Sequence, residues 1–387
     1  MNAQAQRVPL QSVGDLMVPG EPLPFRVLDA EGRLLLAQGQ RVMDVRQLQA
    51  LLQRGASVVF EEAQAVREAR AKAPGPGAGP TLSTRKLTWF DRWERHVWDI
   101  DDTLRNLSRG AGNLPALNEL IDRQMALVTS QPDAAIFTLL RQDDRRFALY
   151  ALVHARFTAM AVQLTAAVLG WTPEQVRSAV AAALTMNVSM VELQARMAEQ
   201  ADPPTKKQLD QIRAHPALSL EMLKDAGVED QAWLTAVADH HEQQGGTGYP
   251  RAIESPGDVP RLVRACDVFT AKISPRALRP PLLSQVAARQ LFQEEKGGAL
   301  AGALIKAMGV YPPGDLVKLK NGEGGVVVRR VGAALEVAVL LGASGKPVLG
   351  GPRRNTGDPE LGIVGPLQER AGLPRVLPEQ VFGLLYG

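Results

Sequence analysis

The sequence predicts a mainly α protein: an all-helical central domain between a small N-terminal α+β or β domain and a small C-terminal β appendage. Three observations carry this. From about Ala116 to Ala307 apolar residues recur at helical spacing almost throughout. A Pro/Gly-rich run, "APGPGAGP", divides that region from the residues before it, and beyond Tyr311-Pro312-Pro313-Gly314 the apolar period changes to two. The expected divisions are a first domain at 1–65, a linker at 66–88, the helical domain at 89–310 and the appendage at 311–387.

In the first domain, Pro24 to Leu28 and Arg33 to Leu36 flank Asp29-Ala30-Glu31-Gly32, a hairpin signal. Val45 to Leu52 has helical spacing, and Ala56 to Phe60 suits a closing strand. The linker composition cannot sustain a helix or a strand. After it, Phe90, Trp93, Val97, Ile100, Leu104 and Leu107 fall at intervals of 3-4-3-4-3, an apolar heptad seam. Only about two and a half heptads are present. The seam is therefore expected to pack into the protein's own helical domain, with a homodimer through the Phe90–Leu107 helix as the other reading. His96 beside it is expected at the surface.

Helices are expected over Leu117–Val128, Phe147–Leu169, Pro173–Met186, Lys206–Ala226 and Trp233–His240, with Thr172-Pro173-Glu174 and Pro203-Pro204-Thr205 as helix starts. In the appendage, Leu316–Leu319, Gly325–Arg330 and Leu335–Leu341 read as short strands, and Asn321-Gly322 and Ser344-Gly345 as turns.

Composition bounds the function. A hydrophobic share of 45% and a charged share of 22% describe an ordinary globular chain, and a net charge of +3 is too small to argue for DNA or RNA as a partner. One cysteine, Cys266, leaves no intrachain disulfide and fits a reducing compartment. With neither a leader pattern nor an uninterrupted apolar run of about 20 residues, no membrane span is expected and the expected location is the cytoplasm.

The chemistry-bearing stretch is His240-His241-Glu242-Gln243-Gln244-Gly245-Gly246-Thr247-Gly248-Tyr249-Pro250. Adjacent histidines leaving a helix can turn two imidazole nitrogens toward one ion, and the glycines permit close backbone approach. The plainer reading is a polar helix end and a glycine turn. The stretch resembles the signature of the HD-GYP family, metal-dependent phosphodiesterases that open cyclic di-GMP: His-His-Glu, two variable residues, then Asp-Gly-Ser/Thr-Gly-Tyr-Pro. It departs only at Gly245, where the family has Asp. The likeness runs from about Phe147 to Leu319 and implies the all-helical HD fold. It also assigns Gly248, Tyr249 and Pro250 to the turn that would meet a base or a protein partner.

By the same resemblance, His154 in "YALVHARFTAM" matches the first metal-binding His, and His215 in "IRAHPALSLEML" the separate one. His240 and His241 match the His pair, and Asp267 in "RLVRACDVFTA" the closing Asp. The pair that names the family is replaced. Its "LLHDIGK" stands here as Leu184-Thr185-Met186-Asn187-Val188-Ser189-Met190, with Met186 for His, Asn187 for Asp and Met190 for Lys. A thioether is a poor ligand for hard or borderline divalent ions, and a neutral amide cannot bridge two cations as a carboxylate does. Tyr150 stands where some members add a Glu for a third ion. One divalent ion (Fe, Mn or Zn) on the three histidines is what remains. Arg276 and Arg279 match cationic positions that hold the dinucleotide's phosphates, or are solvent-exposed arginines at a helix end.

The resulting expectation is a degenerate HD-GYP protein that acts by binding a partner, and cyclic di-GMP, without hydrolysis. The alternative is a phosphodiesterase working on an atypical, partly rebuilt metal site.

Overall fold

In the N-terminal domain, short strands β1 (Arg7–Pro9), β2 (Val27–Leu28), β3 (Leu34–Leu36) and β4 (Ser57–Val59) form an antiparallel sheet of order β1-β4-β2-β3. The structure is a computed structural model that describes residues 6–18, 20–72, 86–142, 146–277, 279–367, 373, 376–383 and 385. Asp29, buried in the β2–β3 turn, accepts from the Arg33 backbone and side chain and closes the expected hairpin. Helix α1 (Val45–Gln53) starts at Asp44, whose carboxylate accepts from the Gln47 N–H. Helix α2 (Phe60–Lys72) runs into the stretch expected to be linker, whose Pro/Gly-rich part at 73–85 lies outside the described residues.

The helical domain comprises α3 (Trp89–Ser108), α4 (Leu114–Ser130), α5 (Pro132–Leu140), α6 (Tyr150–Val168), α7 (Pro173–Thr185), α8 (Val191–Glu199), α9 (Lys206–Asp225), α10 (Gln231–Asp239), α11 (Asp258–Ile273), α12 (Ser284–Glu294) and α13 (Ala299–Met308). Thr88, Thr172 and Thr205 each close a capping box at the start of α3, α7 and α9, where reciprocal bonds satisfy orphan backbone donors. One apolar core runs from Leu10 and Val13 of the first domain through the helices to Met308. The first domain is therefore docked on the helices, and a bidentate ion pair between Arg54, just past α1, and Asp101 of α3 (3.0 and 2.7 Å), nearly closed to water, fixes the contact.

The packing of the α3 seam into the protein's own helices is as expected, whereas the surface placing of His96 is corrected. All six heptad residues are buried, as are Trp89 and Trp98, so the seam is spent inside the chain and a homodimer through it has no surface to use. His96 is fully buried, not at the surface: its Nε2 lies 2.8 Å from Gln124 Oε1, and the Gln124 amide donates to the Arg156 carbonyl. Burial is affordable there because the ring stays neutral, its pKa pushed down to about 3 by desolvation and then by the Arg156 charge.

The expectation of no apolar stretch long enough for a bilayer also needs amendment. Phe147–Val168 and Pro173–Glu199 reach that length and hydropathy. In both, most of that stretch (78% and 72%) is buried inside the protein, as in core helices.

The appendage is an antiparallel sheet of order β8-β7-β6-β5-β9, from β5 (Leu316–Leu319), β6 (Gly324–Val331), β7 (Ala334–Leu341), β8 (Arg353–Asn355) and β9 (Ile363–Pro366), followed by α14 (Pro378–Phe382). Gly325 faces Ala338 and Val337 so closely that a Cβ would lie 2.5 Å from a backbone oxygen. Arg330 joins the sheet to α5 through Asp133, with its backbone N–H and Nε donating to the carboxylate.

Candidate metal centre

Helix packing brings together histidines far apart in sequence. His215 lies mid-way along α9, just before Pro216; His240 is the last residue of the α10 turn and His241 follows it. One ligand atom from each imidazole lies within 4.8 Å of the other two, the one such group among the described residues. His215 and His240 are buried and His241 is half-buried.

The hydrogen bonds settle which nitrogens are free. His215 Nδ1 donates to the Ile212 carbonyl and His240 Nδ1 to the Val237 carbonyl. A carbonyl only accepts, so both protons sit on Nδ1 and both Nε2 atoms carry lone pairs. Those two Nε2 atoms face each other at 3.0 Å. Burial and the neighbouring His240 push the His215 pKa down to about 3; burial lowers His240 as well, and burial and then His240 lower His241. All three shifts favour the neutral rings. Three neutral imidazoles with two lone pairs converging are a donor set that fits a borderline divalent cation. His215, His240 and His241 would hold it.

His154 and Asp267 form a second group. His154, one turn into α6, places Nε2 2.6 Å from Asp267 Oδ1 of α11. Burial pushes the Asp267 carboxyl up, but the His154 bond and charge, then His241 and His240, hold it net well below the usual carboxylate range. Of the five residues matched to metal ligands, three converge as a triad and two engage each other directly.

The positions of the missing pair look different. Met186 is fully buried and belongs to the apolar core. Asn187 is 8% exposed, and its Oδ1 has no hydrogen-bond partner among the described residues. Met190 is half-buried. Ser189, where the family has Gly, donates from Oγ to the His215 carbonyl (3.0 Å) and lies 2.9 Å from Ser219 Oγ. The altered turn is thereby stitched to the helix that carries His215.

The glycine turn is built around Glu242, which the sequence reading gave no role. Its buried carboxylate accepts from the Arg251 N–H (2.7 Å) and the Ile253 N–H (3.0 Å) across the loop. Gly248 lies against the backbone it returns to: a Cβ there would stand 2.4 Å from Glu242 Cα and Gln243 N. Gly245 has φ +89° with open space at its Cβ position, so an Asp would face a conformational rather than a steric obstacle. Tyr249 stacks on His241 with centroids 4.5 Å apart, and Pro250 follows through a cis peptide, exposed.

Arg276 and Arg279 bracket a tight turn after α11. The Arg276 N–H donates to the Arg279 carbonyl and the Arg279 N–H to that of Arg276. Arg276 Nε and Nη2 both donate to the Tyr150 hydroxyl (3.1 and 2.8 Å), and the Tyr150 ring lies parallel to that of His154, 5.5 Å away. Arg279 is exposed. Arg276 therefore adjoins the His154–Asp267 edge of the centre through Tyr150, and Arg279 is tied to it across the turn.

Comparison with known proteins adds a family match over the helical region. The sequence pattern of the HD domain family matches residues 136–297. Cyclic di-GMP phosphodiesterase PA4108 of Pseudomonas aeruginosa is 27% identical over 225 residues, 56% of this chain and 53% of that protein. The likeness spans about half the length of that relative. Bd1817, a HDG"Y"P protein from Bdellovibrio bacteriovorus, aligns over 78% of this chain and 98% of its own, at 14% identity and a TM-score of 0.49. With its HD domain, its paired histidines and the glycine turn that follows them, the chain is an HD-GYP domain protein.

Proposed function

We propose that this protein is a catalytically degenerate member of cyclic di-GMP signalling, binding the dinucleotide and a protein partner without cleaving the phosphodiester. The observation that carries the reading is Met186-Asn187: a thioether buried in the core and a neutral amide stand where a His-Asp pair would supply a ligand and a shared anion. Phosphodiester hydrolysis near neutral pH draws on two ions that activate a water and neutralise phosphate charge. Among the described residues one donor set, the three imidazoles, retains the convergence that an ion needs. A single ion there would supply positive charge beside the nucleotide's phosphates, and His154 and Asp267 would border it as a mutually satisfied pair.

Arg276 and Arg279 support retention of phosphate binding. They are two guanidinium groups at the rim of the centre, suited to forked contact with phosphate oxygens. The exposed end of the glycine turn, with half-buried Tyr249 beside exposed Pro250, is the surface assigned to a protein partner.

A working phosphodiesterase is the second reading, favoured by the intact triad and by the activity in PA4108's name. Incubation of the metal-supplemented protein with cyclic di-GMP separates the two. Intact nucleotide is expected throughout; a linear dinucleotide product that disappears in His241→Ala would establish the second reading. Calorimetry should register binding by wild type, weakened about ten-fold or more in Arg276→Ala/Arg279→Ala. A wild type that binds no cyclic di-GMP would leave only a docking scaffold.

A further inference from the structure

Neither Arg276 nor Arg279 has an acidic partner among the described residues, although the turn sets the two cations side by side. Like charges brought together without a counter-charge are costly, and such placement is characteristic of sites that receive an anion. Arg279 is anchored to the protein by a bond to the Ala271 carbonyl. Arg276 is anchored differently. One edge of its fork, Nε with Nη2, is spent on the Tyr150 hydroxyl, and its Cζ lies 5.0 Å from the Tyr150 ring centroid. This leaves the other edge, Nη1 with the second Nη2 hydrogen, for an incoming acceptor.

The chemistry of the anchor matters. A phenol is uncharged at neutral pH, so it can orient a guanidinium without cancelling its charge. A carboxylate bonded to Arg276 in its stead would form an ion pair and draw on the charge available to a phosphate. Tyr150 is itself held in place: it is the first residue of α6, 8% exposed, and its ring lies parallel to His154 at an interplanar angle of 7°.

We infer that Tyr150 is a positioning residue that holds the Arg276 fork in place to receive a phosphate oxygen of the cyclic dinucleotide while leaving the full charge available to it. The inference rests on the dinucleotide-binding reading above and adds the residue that prepares the site. Tyr150→Phe keeps the ring on His154 and removes the anchor; Tyr150→Glu keeps an acceptor and neutralises the cation.

The test is calorimetry on the full chain with two probes, cyclic di-GMP and inorganic pyrophosphate, and a thermal melt of each variant. Tyr150→Phe is expected to weaken cyclic di-GMP binding about ten-fold with its melting temperature within a few degrees of wild type, and Tyr150→Glu to weaken it at least as far as Arg276→Ala. Because Tyr150 acts through Arg276, Tyr150→Phe/Arg276→Ala should bind no more weakly than Arg276→Ala alone, a non-additivity that general loosening of the fold would not produce. Wild-type binding by Tyr150→Phe beside a weakened Arg276→Ala would overturn the role of Tyr150 and leave the dinucleotide reading intact. Additive losses in the double variant would overturn it too. A wild type that binds pyrophosphate through Tyr150 and Arg276 but no cyclic di-GMP would support the role and overturn the dinucleotide. Failure to bind either probe would overturn both.

Discussion

Two imidazole nitrogens, His215 Nε2 and His240 Nε2, face each other at 3.0 Å with their protons committed elsewhere, and this sets the character of the centre. His-His pairing was readable in the sequence because adjacent histidines are rare in a chain with five; the tautomers were not, since they depend on carbonyls three residues back on two different helices. His96 shows the opposite case. A lone polar residue beside an apolar seam reads as surface, and the Gln124 that lets it be buried comes from a different helix. Its burial has a pH consequence. The folded pKa lies near 3 and the unfolded one near 6.5, so between those values the unfolded chain binds more protons. The stability His96 leaves intact above pH 6.5 is lost as pH falls toward 3. Urea unfolding from pH 7 to 4 should show a declining midpoint in wild type and a shallower decline in His96→Leu. At Gly248, a methyl group would strike the backbone of Glu242 and Gln243, and Gly248→Ala should lower stability by about 1–3 kcal/mol in the same assay.

At the scale of elements, the turn after α10 is a loop closed on itself. Glu242 accepts two backbone N–H groups from the far side of the turn, so Glu242→Ala would orphan both and loosen the segment that carries Tyr249. Faster amide hydrogen exchange at Arg251 and Ile253, with the α6 core unchanged, is the expected outcome. The glycines mark this turn in the sequence; the glutamate does not stand out, because the N–H groups it accepts from, nine and eleven residues on, meet it only once the loop has folded back. Helix α3 was legible as a helix from its 3-4-3-4-3 spacing, but spacing alone does not say which surface covers the seam. The protein's own helices and first domain do so, and Arg54–Asp101 marks the contact. Arg54→Ala leaves Asp101 with Arg105 as its remaining partner and should destabilise the protein by about 3 kcal/mol, measurable by denaturant unfolding.

For the whole molecule, the order of a small mixed domain, a helical body and a β appendage followed from where the apolar period changed. The short edge strands β1, β8 and β9 escape the sequence reading because strands of three or four residues carry too little pattern to be read alone, and helix α2 because its polar sequence shows little apolar periodicity. The site was legible for a related reason in reverse: its residues come from α6, α9, α10 and α11, and each matched a separate short motif in the right order. What the order could not convey is how those residues engage. Of the five matched ligands, three converge on one point and the other two bond to each other.

One ion per chain or two distinguishes a mononuclear from a dinuclear centre. Elemental analysis of the protein purified with manganese, iron and zinc supplied should find about one transition-metal ion per chain, lost in His240→Ala and retained in Asn187→Ala. About two ions per chain, with the second lost in Asn187→Ala, would contradict the account and restore a dinuclear centre.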